Sequence, residues 1–456
     1  METAPGMVDD APVTRFHKKL TVFSSGGPFI DGYALSIIGI ALLTLQPAMD
    51  MSVAEIGLLG AASLVGIFVG GGVFGWVTDK VGRHRMYILD LLALAVFSVL
   101  CAMSTEVWHV VLWRFLLGVA IGADYPIATS LLAEFLPSRV RGRYLGITFV
   151  VWAVGAAAAY LLGFLLRDFG PETWRILLAS PAVFAIITLL FRLGTPESPR
   201  WLLSRGRDDE ARAIVKKVYG PAYDLEHLGE APDADTPKAD LRAVFRGMYG
   251  RRTLFVAVFW TAQVIPMFAV YTFAPDLLHS FGMTGDANLY GGSLLIAALF
   301  VVGGIPGLWL VERIGRRALL IGSFVAATVV LAVPILIPDV GAVPLFIALA
   351  LFAIASGSAN FLQVVYPNEL FPTEVRATAV GLGTAFSRIG SAISTYLMPL
   401  AIVNFGASGS LAIGAAVSLV GLIATIVLAP ETRNRSLTDT AAEGLPVIAQ
   451  PTRVRT

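Results

Sequence analysis

The sequence predicts an all-α integral membrane protein in which twelve transmembrane helices form two homologous six-helix bundles. Hydrophobic residues make up 56% of the 456-residue chain and charged residues only 14%, whereas a soluble domain carries about 25% charged residues. Three motifs also recur after 233 to 235 residues (312 − 79, 369 − 134 and 430 − 196). These are 79–83 (DKVGR) with 312–316 (ERIGR), 134–137 (EFLP) with 369–372 (ELFP), and 196–198 (PES) with 430–432 (PET).

Each bundle is predicted from apolar segments long enough to cross a bilayer, since a helix needs about 20 residues for about 30 Å of hydrocarbon. In the first half these segments are residues 24–47, 55–77, 86–103, 107–136, 144–166 and 174–193. In the second half they are residues 254–279, 290–311, 318–337, 342–366, 377–403 and 408–428.

The polar segments complete the predicted domain organisation. We expect an N-terminal tail at 1–20, bundles at 21–194 and 253–430, a linker with short helices at 195–252, and a C-terminal tail at 431–456. The linker residues 208–217 (DDEARAIVKK) have the pattern of an amphipathic helix. We expect a protein of the inner (plasma) membrane. Basic residues concentrate in alternate short loops, so the positive-inside rule predicts that both termini are cytoplasmic.

Composition and motifs also exclude several functions. The net charge of +1 gives no electrostatic case for nucleic acid. The single cysteine, Cys101, can form neither an internal disulfide nor a zinc site alone. No phosphate-binding loop of the form GxxxxGK[ST] is present in the sequence, so ATP is not the expected energy source. We find no nucleophile–base set or metal cluster in the spans, and therefore expect no enzymatic activity, cofactor or metal. Separately, we expect the protein to be a monomer.

The motifs at this spacing resemble those of the major facilitator superfamily, and especially its sugar-porter branch. The resemblance covers about residues 23–432 and is carried by 75–85 (GWVTDKVGRHR), 196–203 (PESPRWLL), 367–376 (PNELFPTEVR) and 430–432 (PET). It implies secondary active transport of a small metabolite by alternating access. A duplicated membrane protein of this kind usually moves its substrate through the seam between its halves.

The charged loop motifs are candidates for latches that hold one conformation until they break. A carboxylate can accept hydrogen bonds from arginine side chains and from helix N-termini. The alternative is that the basic loops only fix the topology. The resemblance implies that Glu134 pairs with Arg376 and Glu369 with Arg141. The full set of candidates is Asp79, Arg83, Glu134, Arg141, Glu197, Glu312, Arg316, Glu369, Arg376 and Glu431.

Three ionisable residues inside the spans are candidates for proton coupling, because intramembrane charges are costly and usually functional. Counted by rise per residue, Asp31 in span 1 and Arg114 in span 4 lie at similar depths, so a pair is geometrically allowed. Proton-coupled sugar porters resemble this arrangement. Asp124 lies in 118–126 (GVAIGADYP), which looks like the span 4 signature of phosphate:proton symporters. A static salt bridge and a structural hydrogen bond are the respective alternatives.

The expected substrate site combines aromatic rings with few amides. Sugar porters carry a glutamine pair and an asparagine in span 7, where this chain keeps only Gln263 and has Phe268. Phosphate symporters have an aspartate there, which this chain lacks. We therefore favour an organic acid or sugar-like metabolite with an apolar body and a polar end. The candidate residues are Tyr33, Tyr125, Trp152, Trp260, Gln263, Tyr271, Asn360, Gln363 and Arg388.

Four functional alternatives remain open at this point. Proton symport is the leading interpretation. A proton-driven exporter of an amphipathic compound would use the same residues, an uncoupled facilitator would not need Asp31, and a membrane ligand sensor would bind without transport.

Overall fold

The computed structural model describes residues 7–8, 11–81, 83–228, 243–337, 341–371 and 373–433, and every regular element in these ranges is a helix. The chain divides into two compact units, Met1–Thr236 and Pro237–Thr456.

The N-terminal unit contains nine α-helices within the described ranges, followed by a short 3₁₀-helix at Leu225–Leu228. They are α1 (Arg15–Ala48), α2 (Val53–Val81), α3 (Arg83–Ala102), α4 (Val107–Phe135), α5 (Ser138–Leu165), α6 (Thr173–Ala179), α7 (Pro181–Arg192), α8 (Pro199–Ser204) and α9 (Asp208–Tyr219). Helix α1 begins well before the predicted residue 24, because Thr14 and His17 form a capping box at its start. Predicted span 6 is interrupted between α6 and α7, where Pro181 starts a new helix.

The C-terminal unit contains six α-helices in its described part, preceded by a short 3₁₀-helix at Ala243–Phe245. They are α10 (Gly247–Ser280), α11 (Asp286–Ile314), α12 (Arg316–Leu336), α13 (Ala342–Asn360), α14 (Leu362–Leu370) and α15 (Thr373–Leu428). The predicted spans 11 and 12 form one stretch, α15, which bends at Gly406, where φ is 70°.

Eleven helices in the described ranges are long and apolar enough to cross a membrane, against the twelve predicted. The difference arises at α15, whose apolar part covers 50 residues. At 1.5 Å per residue this part is about 75 Å long, enough for two crossings of a core about 30 Å thick. The helices therefore agree with the predicted all-α membrane architecture, with the last two spans merged.

The two units repeat one packing scheme. In the first, α1 packs on α5, α2 on α4, and α3 on both α4 and α7. In the second, α10 packs on α15, α11 on α13, and α12 on both α13 and α15. The same order of partners in both units is the structural counterpart of the duplicated motifs.

Glycines allow the backbones of two helix pairs to touch. A Cβ on Gly122 of α4 would overlap the Ile67 carbonyl oxygen of α2, and a Cβ on Gly357 of α13 would overlap the Phe300 carbonyl oxygen of α11. The two positions are 235 residues apart in the chain (357 − 122). Small residues permit this close approach in membrane helices, so the duplication extends to individual packing contacts.

The pair α1 and α5 differs from its repeat, α10 and α15, at an equivalent contact. A Cβ on Gly155 of α5 would overlap the backbone carbonyl of Phe29 in α1. A Cβ on Gly390 of α15 would instead overlap the Thr261 side chain of α10. The first pair is held backbone to backbone at this point, and the second through a side chain.

The linker helix α9 confirms the predicted amphipathic pattern and packs on α8. Its buried residues, Ala211, Val215, Val218 and Tyr219, recur at helical spacing. The Tyr219 hydroxyl donates to the Phe135 carbonyl oxygen at the end of α4 (2.8 Å). This contact ties the linker helix to the N-terminal unit.

The exposed side of α9 carries an ion-pair network centred on Asp224. Its carboxylate lies 2.9 Å from Arg212 and 3.2 Å from Lys216. The backbone N–H of Leu225, followed by Arg212, lowers the pKa of Asp224 to about 2. The network therefore keeps its negative partner throughout the neutral pH range.

Candidate functional site

A fully buried ion pair in the N-terminal unit joins α4 to the end of α7. Arg192 Nη1 donates to Asp124 Oδ1 at 2.5 Å, and Nη2 lies 3.4 Å from Oδ2. The two side chains are 0% and 2% exposed. A bidentate arrangement of this kind fixes both the distance and the plane of the two groups.

Two neighbouring helices enclose the pair. A Cβ on Gly27 of α1 would overlap the Asp124 carboxylate, so glycine leaves room for it. The Arg192 guanidinium lies 3.6 Å from the centroid of the Tyr87 ring on α3, a cation–π contact. The Tyr87 hydroxyl donates to Ser24 Oγ at 2.9 Å. Residues from α1, α3, α4 and α7 thus close over one salt bridge.

A second carboxyl, that of Asp90 on α3, lies beside this pair. It is 4% exposed and interacts electrostatically with both Asp124 and Arg192. We call Asp90, Asp124 and Arg192 the buried ion cluster.

The predicted pair of Asp31 with Arg114 is not the arrangement that the structure has. Both side chains are buried, but Arg114 Nη1 donates to the Ala34 carbonyl oxygen (3.3 Å), and no ion pair within 4.0 Å joins Asp31 to Arg114 among the described residues. Ala34 lies three residues beyond Asp31, which is about 4.5 Å along the helix. Depth counted from the span ends is not accurate enough to resolve one helical turn.

An amide cluster in the C-terminal unit contains three of the predicted substrate residues, Gln263, Asn360 and Gln363. Gln363 Nε2 donates to Gln263 Oε1 at 2.9 Å and to Asn360 Oδ1 at 2.8 Å. Gln263 Nε2 has no hydrogen-bond partner among the described residues although it is buried. A buried amide with an unused donor is a candidate for binding an acceptor oxygen.

The other predicted substrate residues of the C-terminal unit lie on α10 and α15. Trp260 and Tyr271 are buried on α10, and the Tyr271 ring packs against Phe300. Arg388 is half-buried on α15, with its guanidinium 6.0 Å from the Phe268 ring centroid. Phe268, which stands in the place of the family's asparagine, therefore contacts a cation.

The predicted substrate residues of the N-terminal unit are placed separately. The Tyr33 hydroxyl is 2.7 Å from Ser180 Oγ, and its ring packs on Phe184. Trp152 is half-buried on α5. The Tyr125 side chain lies outside the part of the chain whose side chains are described.

Four predicted latch residues of the C-terminal unit form one network around the start of α12. The Glu431 carboxylate accepts from the backbone N–H groups of Arg316 (3.0 Å) and Arg317 (3.1 Å). Glu369 accepts from the Arg316 guanidinium at 3.0 and 3.1 Å, and Glu312 lies 3.5 Å from it. Glu431 thereby satisfies N–H groups that a helix start leaves unpaired and meets the positive end of its dipole.

The corresponding latch residues of the first half are only partly described. Glu197 Oε1 accepts from the Ser198 backbone N–H at 3.0 Å. The charged partner of Glu369 among the described residues is Arg316. The resemblance does not imply this pair. The side chains of Asp79, Arg83, Glu134, Arg141 and Arg376 lie outside the described residues, so the two pairings carried over from the family stay predictions.

Two residues of the buried ion cluster are missing from the sequence-based candidates. Arg192 ends an apolar run, where a basic residue is expected at the membrane interface, and Asp90 lies five residues after the basic stretch 83–85. The signal that could have found Arg192 is the need of Asp124 for a cation inside the membrane.

Most of the chain matches known transport proteins. A family model described as "Sugar (and other) transporter" matches residues 19–443. YaaU of Escherichia coli (strain K12) is 42% identical over 437 residues, which cover 95% of this chain and 96% of that protein. The inner membrane metabolite transport protein YgcS of the same strain is 38% identical over 433 residues, again 95% and 96% of the two chains.

The structures of xylose transporters share the fold. The partially occluded inward open form of XylE from E. coli matches with a TM-score of 0.79 over 93% of this chain and 100% of that chain, at 17% identity. At this identity the likeness concerns the fold alone. Together with the family model and the two relatives, it shows that the chain belongs to the sugar (and other) transporter family, with the major facilitator fold, and is a secondary transporter of small metabolites rather than an enzyme.

Proposed function

We propose that the protein imports a small organic metabolite, an organic acid or a sugar-like compound, together with protons by alternating access. The observation that carries the proton coupling is the buried Asp124–Arg192 pair. A salt bridge isolated from water loses much hydration energy and is weak support for stability alone, which favours a functional reason for its presence.

Asp31 is the second candidate for proton coupling in this proposal. It is 5% exposed on α1, the helix whose Gly27 contacts the Asp124 carboxylate. A shift of α1 would change the surroundings of both carboxyls at once. Arg114, buried on α4 with one donor on the Ala34 carbonyl, would sense the same shift.

The energy available from one proton is sufficient for concentrative uptake. At roughly 150 mV, one proton supplies about 3.5 kcal/mol. This free energy corresponds to an accumulation of roughly 300-fold.

The substrate class is proposed from the amide cluster and its neighbours. The spare Gln263 Nε2 donor suits a hydroxyl, carbonyl or carboxylate oxygen of the substrate. Trp260, Phe268 and Tyr271 offer apolar surface on the same helix, and Arg388 offers a positive charge. This combination favours a compact metabolite with one polar or acidic end over a molecule that is polar on all sides.

We also propose the remaining topology and gating roles. The Arg-rich loops favour the inner membrane with both termini cytoplasmic, and we expect a monomer. The network around Arg316 would hold α12, α14 and the chain after α15 together as one latch. By the repeat, Asp79, Arg83 and Glu197 would serve the first half, and the pairs Glu134–Arg376 and Glu369–Arg141 would hold a second conformation.

Uptake into proteoliposomes tests the proposal. The purified protein is reconstituted and offered labelled organic acids and sugars, with a proton gradient or with that gradient collapsed by a protonophore. We expect gradient-dependent accumulation that Asp31→Asn and Asp124→Asn abolish, whereas Asp50→Asn, at an exposed turn residue, does not.

Each alternative has its own outcome in this assay. Equal uptake with and without the gradient identifies an uncoupled facilitator, gradient-driven expulsion identifies an exporter, and binding without flux identifies a sensor. Any of these three results would refute proton symport. For the substrate site, Gln263→Leu should weaken binding of the accumulated compound, while Gln46→Leu, an exposed glutamine at the end of α1, should not.

A further inference from the structure

The charge balance of the buried ion cluster is uneven. Arg192 supplies one positive charge, since a guanidinium remains protonated in proteins. Asp124 occupies two of its nitrogens, at 2.5 and 3.4 Å. Asp90 adds a second carboxyl without a cation of its own. If both carboxyls were ionised, the cluster would bury one uncompensated negative charge.

Among the described residues, the groups around Asp90 do not supply the missing charge. From its own helix it faces Tyr87, from α4 Asp124, and from α7 Arg192. Helix α1 contributes neutral groups near the pair, the Ser24 hydroxyl and the Phe23 carbonyl oxygen. Asp90 Oδ1 accepts from the Leu91 backbone N–H (2.6 Å), and Oδ2 has no hydrogen-bond partner among the described residues.

We infer that Asp90 is a proton-binding site of the transport cycle, holding its proton while Asp124 stays paired with Arg192. Two carboxyls that share one site and one cation cannot both ionise, so one proton is retained between them. Asp124 is the ionised member because it makes both guanidinium contacts. Asp90 is the protonated one, and it would lose its proton when Arg192 moves from Asp124 towards it. This inference rests on the proposed proton coupling and adds a residue that is absent from the candidates predicted from the sequence.

Infrared spectroscopy of the purified protein tests the protonation directly, without substrate. We expect the C=O stretching band of a protonated, buried carboxyl at neutral pH in the wild type and its loss in Asp90→Asn. Asp50→Asn, which changes an exposed carboxylate of the same unit, should keep the band. In Asp124→Asn the arginine has only Asp90 to pair with, so Asp90 should ionise and the band should disappear as well.

The outcomes separate this inference from the proposed function. A wild type without the band, or an Asp90→Asn variant whose band is as strong as that of the wild type, overturns the protonation of Asp90. If the wild type accumulates substrate with protons and Asp90→Asn accumulates it equally at every pH, the role of Asp90 in coupling is wrong while symport stands. If no variant or wild-type protein responds to the gradient, symport itself fails, whatever the infrared result.

Discussion

Replacing Arg192 by methionine should destabilise the protein strongly, because it leaves Asp124 buried without its cation. Methionine keeps an unbranched side chain of similar length, so the loss is mainly of charge. The side chains of the pair are 0% and 2% exposed, so water cannot replace the guanidinium. Breaking one side of a buried pair costs about 3–5 kcal/mol.

The chemistry of Asp124 gives a second estimate of this cost. In Arg192→Met the carboxyl can avoid burial as an anion only by taking up a proton. Protonating a carboxyl of ordinary pKa about 3.9 costs about 4 kcal/mol at pH 7. On folding, the variant then takes up one proton more than the wild type does. Its stability relative to the wild type should therefore rise by about 1.4 kcal/mol for each pH unit lowered from 7 towards 4.

A double-mutant cycle measures the effect. The free energy of unfolding in detergent micelles is compared for wild type, Arg192→Met, Asp124→Asn and the double variant, at pH 7 and pH 5. Relative to the wild type, the double variant should lack this additional pH dependence and recover much of the loss, giving a coupling of about 2 kcal/mol or more. Arg167→Met, which breaks the exposed pair with Asp168 (3.2 Å), should cost less than about 1 kcal/mol. An Arg192→Met variant as stable as the Arg167→Met control would refute the reasoning.

Three further predictions concern other parts of the fold. Glu431→Ala should cost about 1 kcal/mol of unfolding free energy by removing the cap of α12, measurable as faster hydrogen exchange in its first turn; unchanged exchange would exclude the capping role. Gly122→Ala should destabilise by about 1–3 kcal/mol in the same unfolding assay, since its Cβ overlaps the Ile67 carbonyl. Its control is Gly72→Ala, whose Cβ meets no atom within 4 Å, and equal stability of the two variants would contradict the close approach. Asp224 has a lowered pKa, about 2, so its ion pairs should protect α9 from proteolysis above about pH 4 and lose that effect as the pH falls towards 2. Asp224→Asn should remove this pH dependence, and a variant that keeps it would show that another group is responsible.

The fold could be predicted from the sequence because its signals are local and repeated. Apolar runs of about 20 residues fix the spans, and the amphipathic pattern of 208–217 fixes α9. The division between spans 11 and 12 is predicted between residues 403 and 408, and the chain bends there, at Gly406. Only the form of the connection could not be predicted, because a glycine in an apolar run is compatible with a continuous helix, a bend or a loop.

The ion chemistry was only half predictable. Asp124 stands out because an aspartate inside an apolar run is rare and costly. Its partner depends on which faces of α4 and α7 meet, and that is a tertiary property. Arg192 lies at a span end, where basic residues are common, so its burial leaves no trace in the sequence. The amide cluster shows the reverse case. Gln263, Asn360 and Gln363 stand out as polar residues in apolar spans, and the structure brings all three together.

The contrast between the two glycine contacts, Gly155 with the Phe29 carbonyl and Gly390 with the Thr261 side chain, has a mechanical consequence. A backbone carbonyl cannot yield without bending a whole helix, whereas a threonine side chain can change rotamer. At this contact α1 and α5 are expected to move together as a rigid pair. Helices α10 and α15 can instead shift slightly against each other. The adaptable side chain, Thr261, belongs to α10. The same helix carries Gln263 and departs from helical geometry at Phe273. The second unit is thus the better suited to adjust its shape around substrates of different size.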